Sequence, residues 1–391
     1  IVALVVTTAV ISGGYPAQKV QLNDASVWVS NGAKQIIGRA NTQILELNTV
    51  VPTDSSELDV VQDGSTVLLF DEGSSKVGIV DPATSTISDS VPMPTSSPRL
   101  FLAGDNVVVA DGDGHVWIVP SAEFEHFDPV ATPNLNLGTN SVFAMNSDGF
   151  LIAYSRDAQL VYRIDAAQTA SVVETHPASL GDAASVLSVT WVGSDWAVLD
   201  STSRTLVVDG VRVDLSDTIG VGDNPRLQQP STTGSGVLVA YSGGLLLVPV
   251  NGGTPQILVS DRTGNPAAPL VADGCEFAAW SDGTGWRSCG SDDAVSLTLP
   301  AMPLGAVRLA FNRNGDRIVL NDPRGGGTWA VQARGELIDN WDGLVHVQQQ
   351  QEQVTENNLD TPPDYEKVQQ PPVALDDVFG ARPGRSAILP V

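Results

Sequence analysis

Basic residues are scarce in this sequence, and that scarcity limits the partners it can bind. Twenty Lys and Arg stand against 45 Asp and Glu, which leaves the 391 residues with a formal net charge of −25 at pH 7. Only four of the basic residues are Lys, and the 16 Arg are scattered along the chain. Because a charge of this size and sign repels phosphate backbones, the composition excludes a nucleic-acid partner.

Histidine and catalytic sequence motifs are scarce as well. The four His are dispersed, with no H-E-x-x-H pattern and no cluster with Cys. The sequence also lacks G-x-S-x-G, a P-loop, and a G-x-G-x-x-G run between a strand and a helix. No residue can be named as catalytic, so we predict a protein that is not an enzyme. We also predict no cofactor apart from Ca²⁺, which is considered below.

The only two cysteines are Cys275 and Cys289, separated by turn-forming Asp, Gly and Ser residues. An isolated pair at this spacing predicts one disulfide, formed in an oxidising compartment. A metal site has less support because no His lies near either cysteine, and a reactive thiol has less still.

No apolar run is long enough to span a bilayer, which takes roughly 20 residues. The longest run at the start, Ile1–Ile11, is short of that length. Because position 1 is not Met, we interpret residues 1–14 as the end of a truncated transmembrane anchor. A buried first strand and the core of a signal peptide remain alternatives, since Val- and Thr-rich sequence suits both.

Turn-forming residues are plentiful, with 37 Gly and 25 Pro, and they punctuate a repeat of about 40 residues. Each copy has an apolar strand, a tight Asp, Asn or Gly turn, a second very apolar strand and a third strand. The copies centre on Ser26–Val29, Val67–Phe70, Val107–Ala110, Leu151–Tyr154, Trp196–Leu199, Val237–Ala240, Phe277–Trp280 and Leu309–Leu320. This period is typical of propeller blades, whose sheets bury their faces against neighbouring blades.

The repeat predicts an all-β fold, a β-propeller of about eight four-stranded blades over residues 15–345. Seven blades is the alternative, because the first and last copies could be two halves of one closing blade. Four tryptophans at strand positions are predicted to lie in the core: Trp28, Trp117, Trp196 and Trp329. Residues 346–371 are rich in Gln and Pro and indicate a linker. Residues 372–391 indicate the first strand or strands of an Ig-like or fibronectin type III-like repeat cut by the chain end.

Two turns and the last residues of the chain resemble known families. Asn146–Gly149 and Asn312–Ile318 are similar to the repeat of TolB-type propellers. Pro371–Val391 contains a "V-A-x-D-D" strand and an "R-P-G-R" turn. These resemble the opening of a repeat in large actinobacterial surface proteins. In that family a membrane anchor precedes a β-propeller and tandem Ig-like or fibronectin type III-like repeats.

The resemblance implies a non-enzymatic scaffold or adhesion protein on the extracellular face of the cell membrane. The N-terminal segment would lie in the membrane, and the propeller would be a rigid base for an Ig-like stalk. Its partner would be a protein or a glycan of the cell envelope. A polysaccharide hydrolase or lyase at the propeller channel is one alternative, and it would need two inward carboxylates about 5–9 Å apart. A subunit of a surface layer or filament, formed by homo-oligomers, is the other.

Two acidic runs have features of known sites. Alternating carboxylates at Asp111 and Asp113 suit Ca²⁺, but the Asp-Gly-Asp-Gly run equally suits a hairpin turn. Ser281–Trp286 superficially resembles the Asp-box of sialidases, although its spacing differs and it occurs once. We expect a plain β-turn there.

Overall fold

The computed structural model of the protein describes residues 26–345, apart from 89, 183, 291–292 and 304–307. The described residues form eight antiparallel sheets that follow one another along the chain as the blades of a β-propeller. The predicted all-β propeller of about eight blades is therefore confirmed. Blade 1 has three described strands, blade 2 has five and the other six have four each.

The strands of blades 1–4 are β1 (Ser26–Asn31), β2 (Ile36–Asn41), β3 (Glu46–Pro52); β4 (Leu58–Asp63), β5 (Thr66–Asp71), β6 (Lys76–Asp81), β7 (Thr86–Ile87), β8 (Val91–Pro92); β9 (Arg99–Ala103), β10 (Asn106–Ala110), β11 (His115–Pro120), β12 (Leu135–Asn136); β13 (Ser141–Met145), β14 (Phe150–Ser155), β15 (Leu160–Asp165) and β16 (Ser171–Pro177). Short 3-10 helices lie between strands in blades 1 and 3, at Gly32–Lys34 and Ser121–His126.

The strands of blades 5–8 are β17 (Leu187–Val192), β18 (Asp195–Asp200), β19 (Thr205–Val208), β20 (Val211–Asp214); β21 (Arg226–Leu227), β22 (Gly236–Tyr241), β23 (Gly244–Pro249), β24 (Gln256–Val259); β25 (Leu270–Ala272), β26 (Cys275–Trp280), β27 (Thr284–Cys289), β28 (Val295–Thr298); β29 (Ala310–Asn314), β30 (Arg317–Asn321), β31 (Thr328–Ala330) and β32 (Glu336–Leu337). A helical turn over 341–345 ends the described part of the chain.

The apolar core is divided among the interfaces between blades. Among the described residues there are eight hydrophobic clusters, and each joins two neighbouring blades. The second strands of blades 2–8 are nearly all apolar because both of their faces are covered; Val107–Ala110 of β10 is fully buried. Trp28, Trp117, Trp196 and Trp329 all lie in these clusters, as predicted.

One of the eight clusters closes the ring, because it packs Val27 and Val29 of blade 1 against Val319 and Ala330 of blade 8. The first and last copies of the repeat are thus separate blades that meet face to face. The seven-blade alternative, in which they would share one sheet, is wrong.

Asparagine side chains reinforce this closure across nearly the whole length of the chain. Asn321 accepts a hydrogen bond from the Ser30 amide (3.1 Å) and donates one to the Ser30 carbonyl (3.2 Å). Asn314 donates to the Ser26 carbonyl of blade 1 (3.0 Å) and accepts from the Gly64 amide of blade 2 (2.9 Å). Both asparagines and both serines are buried, so the bonds to Ser26 and Ser30 satisfy backbone groups that water cannot reach.

The predicted anchor (1–14), linker (346–371) and Ig-like strand (372–391) lie outside the described residues. Within the described residues, no helix has the length and apolar character needed to cross a bilayer.

Substituting Asn321 by Ala should lower the free energy of unfolding by about 2 kcal/mol, because the buried Ser30 amide and carbonyl lose their partner. Asn48→Ala is the matched control, since Asn48 is exposed and, in the hydrogen bonds described, bonds only the Arg39 side chain; it should cost less than about 0.5 kcal/mol. Denaturant unfolding followed by Trp fluorescence measures both. Equal effects of the two variants would contradict the closing role of Asn321.

Candidate functional site

The strands that begin the blades surround a central channel, since those of most neighbouring blades contact one another. Where these strands end, their turns enclose a cavity of about 400 Å³, which we call the hairpin mouth. Blades 2, 3, 4, 7 and 8 and the segment 231–233 contribute to it. Its charged and amide lining residues are Gln62, Asp63, Asn146, Asp273 and Arg313, and its apolar ones are Val61, Phe101, Leu102, Met145 and Val271.

The turns at the hairpin mouth are fixed by short side chains and glycine. Asn146 accepts hydrogen bonds from the amides of Asp148 (3.0 Å) and Phe150 (2.8 Å). Gly149 has φ +78°, and a Cβ there would lie 2.6 Å from the Cβ of Ala167. Only glycine fits such a position without strain. The turn that resembles the TolB repeat therefore holds Asn146 and Ser147 at the channel.

The second TolB-like turn has the same place in blade 8. Arg313 and Gly315 line the hairpin mouth, while Asn314 between them points into the closure with blades 1 and 2. Within this one turn, Asn314 stabilises the closure of the ring, whereas Arg313 and Gly315 face the channel.

Cys275 and Cys289 form the predicted disulfide, and the described residues include no free cysteine. The two residues lie directly opposite each other at one end of the β26–β27 pair. Gly290 donates to the Gly274 carbonyl beside them (3.0 Å). The crosslink therefore braces the turn that carries Asp273 to the hairpin mouth. Burial raises the pKa of Glu276, the next residue along β26.

The structure adds a third group to the predicted Ca²⁺ pair. Asp111, Asp113 and His115 each offer a ligand atom, all within 4.8 Å of one another. They lie beside a groove of about 400 Å³ whose lining includes Ser96 and Val130. Sequence reasoning missed His115, although its spacing of four residues from Asp111 across a tight turn was the signal. A ligand set of two carboxylates and one imidazole suits a transition metal ion better than it suits Ca²⁺.

A structural role in the hairpin turn also explains why an aspartate stands at position 111. Its buried carboxylate accepts from the amides of Asp113 (3.0 Å) and His115 (2.9 Å), and its other oxygen lies 3.0 Å from the His115 Nδ1. Metal binding by Asp111 and Asp113 therefore stays a prediction beside this turn role. The Asp-box-like run is a plain turn as expected: Asp282 accepts from the Thr284 amide (3.0 Å) and joins β26 to β27.

The opposite end of the channel carries an ion pair. The Arg308 guanidinium forms three hydrogen bonds of 3.1–3.2 Å with the Glu72 carboxylate. Burial raises the pKa of Asp59 nearby, and the charge of Arg308 acts against that shift.

The chain is similar in fold to several solved structures, at low sequence identity. The chain is similar to the computationally designed Ika8 protein, with 13% identity and a TM-score of 0.52 over 77% of this chain and 95% of that one. It is similar to the dihydro-heme d1 dehydrogenase NirN in complex with DHE, with 14% identity and a TM-score of 0.51 over 82% and 73%. For BamB from Moraxella catarrhalis the values are 13%, 0.50, 78% and 93%. No family model and no curated protein matches the sequence. At these identities the likeness shows the propeller fold alone.

Replacing both cysteines by Ser should lower the free energy of unfolding by about 3 kcal/mol, because the open hairpin has more conformational freedom when unfolded. Denaturant unfolding with and without reductant measures this. Reductant should shift the wild type toward the variant and leave the variant unchanged. A variant as stable as the oxidised wild type would show that the crosslink does not brace blade 7.

If the Asp111–Asp113–His115 group binds Ca²⁺, the wild type should gain about 1.4 kcal/mol of stability at ten times the dissociation constant. Asp113→Asn should abolish that gain without disturbing the turn, because the Asp113 side chain is exposed and the turn bonds end on Asp111. Asp148→Asn, in another exposed turn, is the matched control and should keep the gain. Thermal unfolding with CaCl₂, and in parallel with ZnCl₂, measures it. If neither ion raises the stability of the wild type, the role of Asp111 is to stabilise its turn and not to bind a metal.

Proposed function

We propose that this chain is a non-enzymatic cell-surface scaffold whose propeller holds a protein or glycan partner at the hairpin mouth. The observation that carries the proposal is the composition of that mouth. Five blades and the 231–233 segment contribute a mixed lining of amide, carboxylate, guanidinium and apolar groups around about 400 Å³. Convergent polar groups in a concave surface are typical of binding sites, and the mostly polar lining of this mouth suits a partner with many hydrogen-bonding groups.

Rigidity of the lining supports a role in binding. The turns of blades 4 and 7 are held by Asn146 and by the disulfide, and blade 8 is tied to blades 1 and 2 by Asn314. Binding groups that are already ordered lose little entropy when a partner docks. The ring therefore presents the mouth in one conformation.

We place the scaffold on the extracellular face of the cell membrane. The disulfide supports an oxidising compartment. The apolar start of the chain supports membrane attachment, and the repeat-like residues 372–391 support a stalk that follows the propeller.

Lateral assembly into a surface layer or filament is a second candidate, favoured by the outermost strands of blades 4–7. These edge strands carry exposed branched apolar side chains: Val173 (51% exposed), Val211 (45%), Ile257 (59%) and Val295 (43%). Open apolar edges are the surfaces on which sheets of different molecules pair.

A photo-cross-linking amino acid in place of Thr232, an exposed residue of the hairpin mouth, should form adducts with one envelope protein or glycan on intact cells. The same amino acid in place of Val173, on the outer edge, is the matched control and should give none. Adducts are identified by gel shift and mass spectrometry. Adducts between copies of this chain from Val173 alone would favour lateral assembly, and no adduct from either position would contradict both functions.

A further inference from the structure

Three arginines that are far apart in the sequence meet at one cavity. It has a volume of about 480 Å³ and lies at the end of the channel where the innermost strands of blades 6–8 begin, opposite the hairpin mouth. We call it the arginine cavity. Its polar lining residues are Asn224, Arg226, Gln229, Asn265, Arg308 and Arg324.

The charge of this cavity is opposite to that of the chain. Three of the 16 Arg line it, and no Asp or Glu is among its described lining residues. Carboxylates are abundant elsewhere in the chain, whose net charge is −25. Because Arg308 is paired with Glu72, the positive charge that a ligand meets in the cavity comes mainly from Arg226 and Arg324. Such a site attracts an anion.

Two of the three guanidinium groups form no close ion pair with a described carboxylate. Among the described ion pairs, none includes Arg226 or Arg324. Both residues are exposed. The buried Asp322 carboxylate accepts from the backbone amides of Arg324 (3.3 Å) and Gly325 (3.2 Å). Burial raises the pKa of Asp322, and the charge of Arg324 acts against that shift.

Arg308 is held at the edge of the cavity by its pair with Glu72. Glu57 and Glu72 of blade 2 line a small neighbouring cavity, and Arg308 and Arg324 line that cavity as well. Arg308 and Arg324 thus lie between the carboxylates of blade 2 and the arginine cavity, whereas Arg226 lines the arginine cavity alone.

The remaining polar groups are uncharged amides. Asn224 donates to the Asn265 side chain (3.2 Å), and Gln229 lies on the same wall. Amides offer both donors and acceptors, which is the pattern that sugar hydroxyl groups need. Guanidinium forks match a carboxylate with two parallel hydrogen bonds. The volume suits a mono- or disaccharide.

We propose that the arginine cavity binds an acidic sugar, with Arg226 and Arg324 on its carboxylate and the three amides on its hydroxyl groups. The site is at the other end of the channel from the hairpin mouth, so it does not depend on the function proposed for that mouth.

Isothermal titration of the full chain with glucuronic acid, glucose and inorganic phosphate tests this. Glucuronic acid should bind about tenfold or more tightly than glucose, because only it engages the guanidinium groups, and added salt should weaken its binding. Arg226→Gln should weaken it about tenfold or more as well. Arg334→Gln is the matched control, because Arg334 is equally exposed and lies outside the cavity; it should have no effect.

Each other outcome overturns the proposal. Phosphate binding as tightly as glucuronic acid would show a site for simple anions and not for sugars. Equal binding of glucose, or equal loss in the two Arg variants, would show that the cavity arginines do not select the ligand. No heat of binding to glucuronic acid at about 10 mM, which corresponds to a very weak complex, would show that the cavity does not take an acidic monosaccharide. Because Arg226 is exposed, thermal unfolding should show the same stability for its variant as for the wild type.

Discussion

Closure of the ring is the constraint on which the rest of the structure depends. Each blade buries one face against the blade before it and the other against the blade after it, so an open array would leave two apolar faces in water. The cluster between blades 8 and 1 removes those faces. Asn340 adds a polar counterpart, because its side chain bonds both the amide (2.7 Å) and the carbonyl (2.9 Å) of Leu47 on the outer strand of blade 1. This side chain thereby satisfies one residue's backbone groups at the outer edge of the three described strands of blade 1.

Many of the aspartates that give the chain its negative charge stabilise turns between strands. Backbone and hydroxyl hydrogen bonds lower the pKa of Asp81 and Asp214, in turns where each carboxylate accepts from an amide two residues ahead. The Asp157 carboxylate is stabilised by the side chains of Thr139 and Asn140, which also lower its pKa. Ionised aspartate is therefore part of how many turns are held, and acidity here is a consequence of having many tight turns.

Features within one blade could be predicted from the sequence, whereas features that depend on closure of the ring could not. The period of about 40 residues predicted the blades, and the spacing of Cys275 and Cys289 predicted their bond, because a hairpin pairs residues close in sequence. The number of blades was left open between eight and seven, since closure joins residues such as Ser30 and Asn321 that are 291 positions apart. The arginine cavity was missed for the same reason. Arg226, Arg308 and Arg324 look scattered along the chain, and only the ring brings them together.

The direction of the innermost strands explains why the two ends of the channel differ chemically. The innermost strands of blades 7 and 8, β25 and β29, begin at the arginine cavity and finish at the hairpin mouth. At the hairpin mouth, turn geometry requires residues such as Asn146 and Gly149, and the strand ends beside the turns supply larger side chains such as Met145 and Arg313. At the other end, the longer connections between blades, such as the segment that carries Asn224 before β21, can place Arg and amide side chains freely. The two ends of the channel are thus built from different parts of the chain, one from hairpin turns and strand ends and the other from the connections between blades.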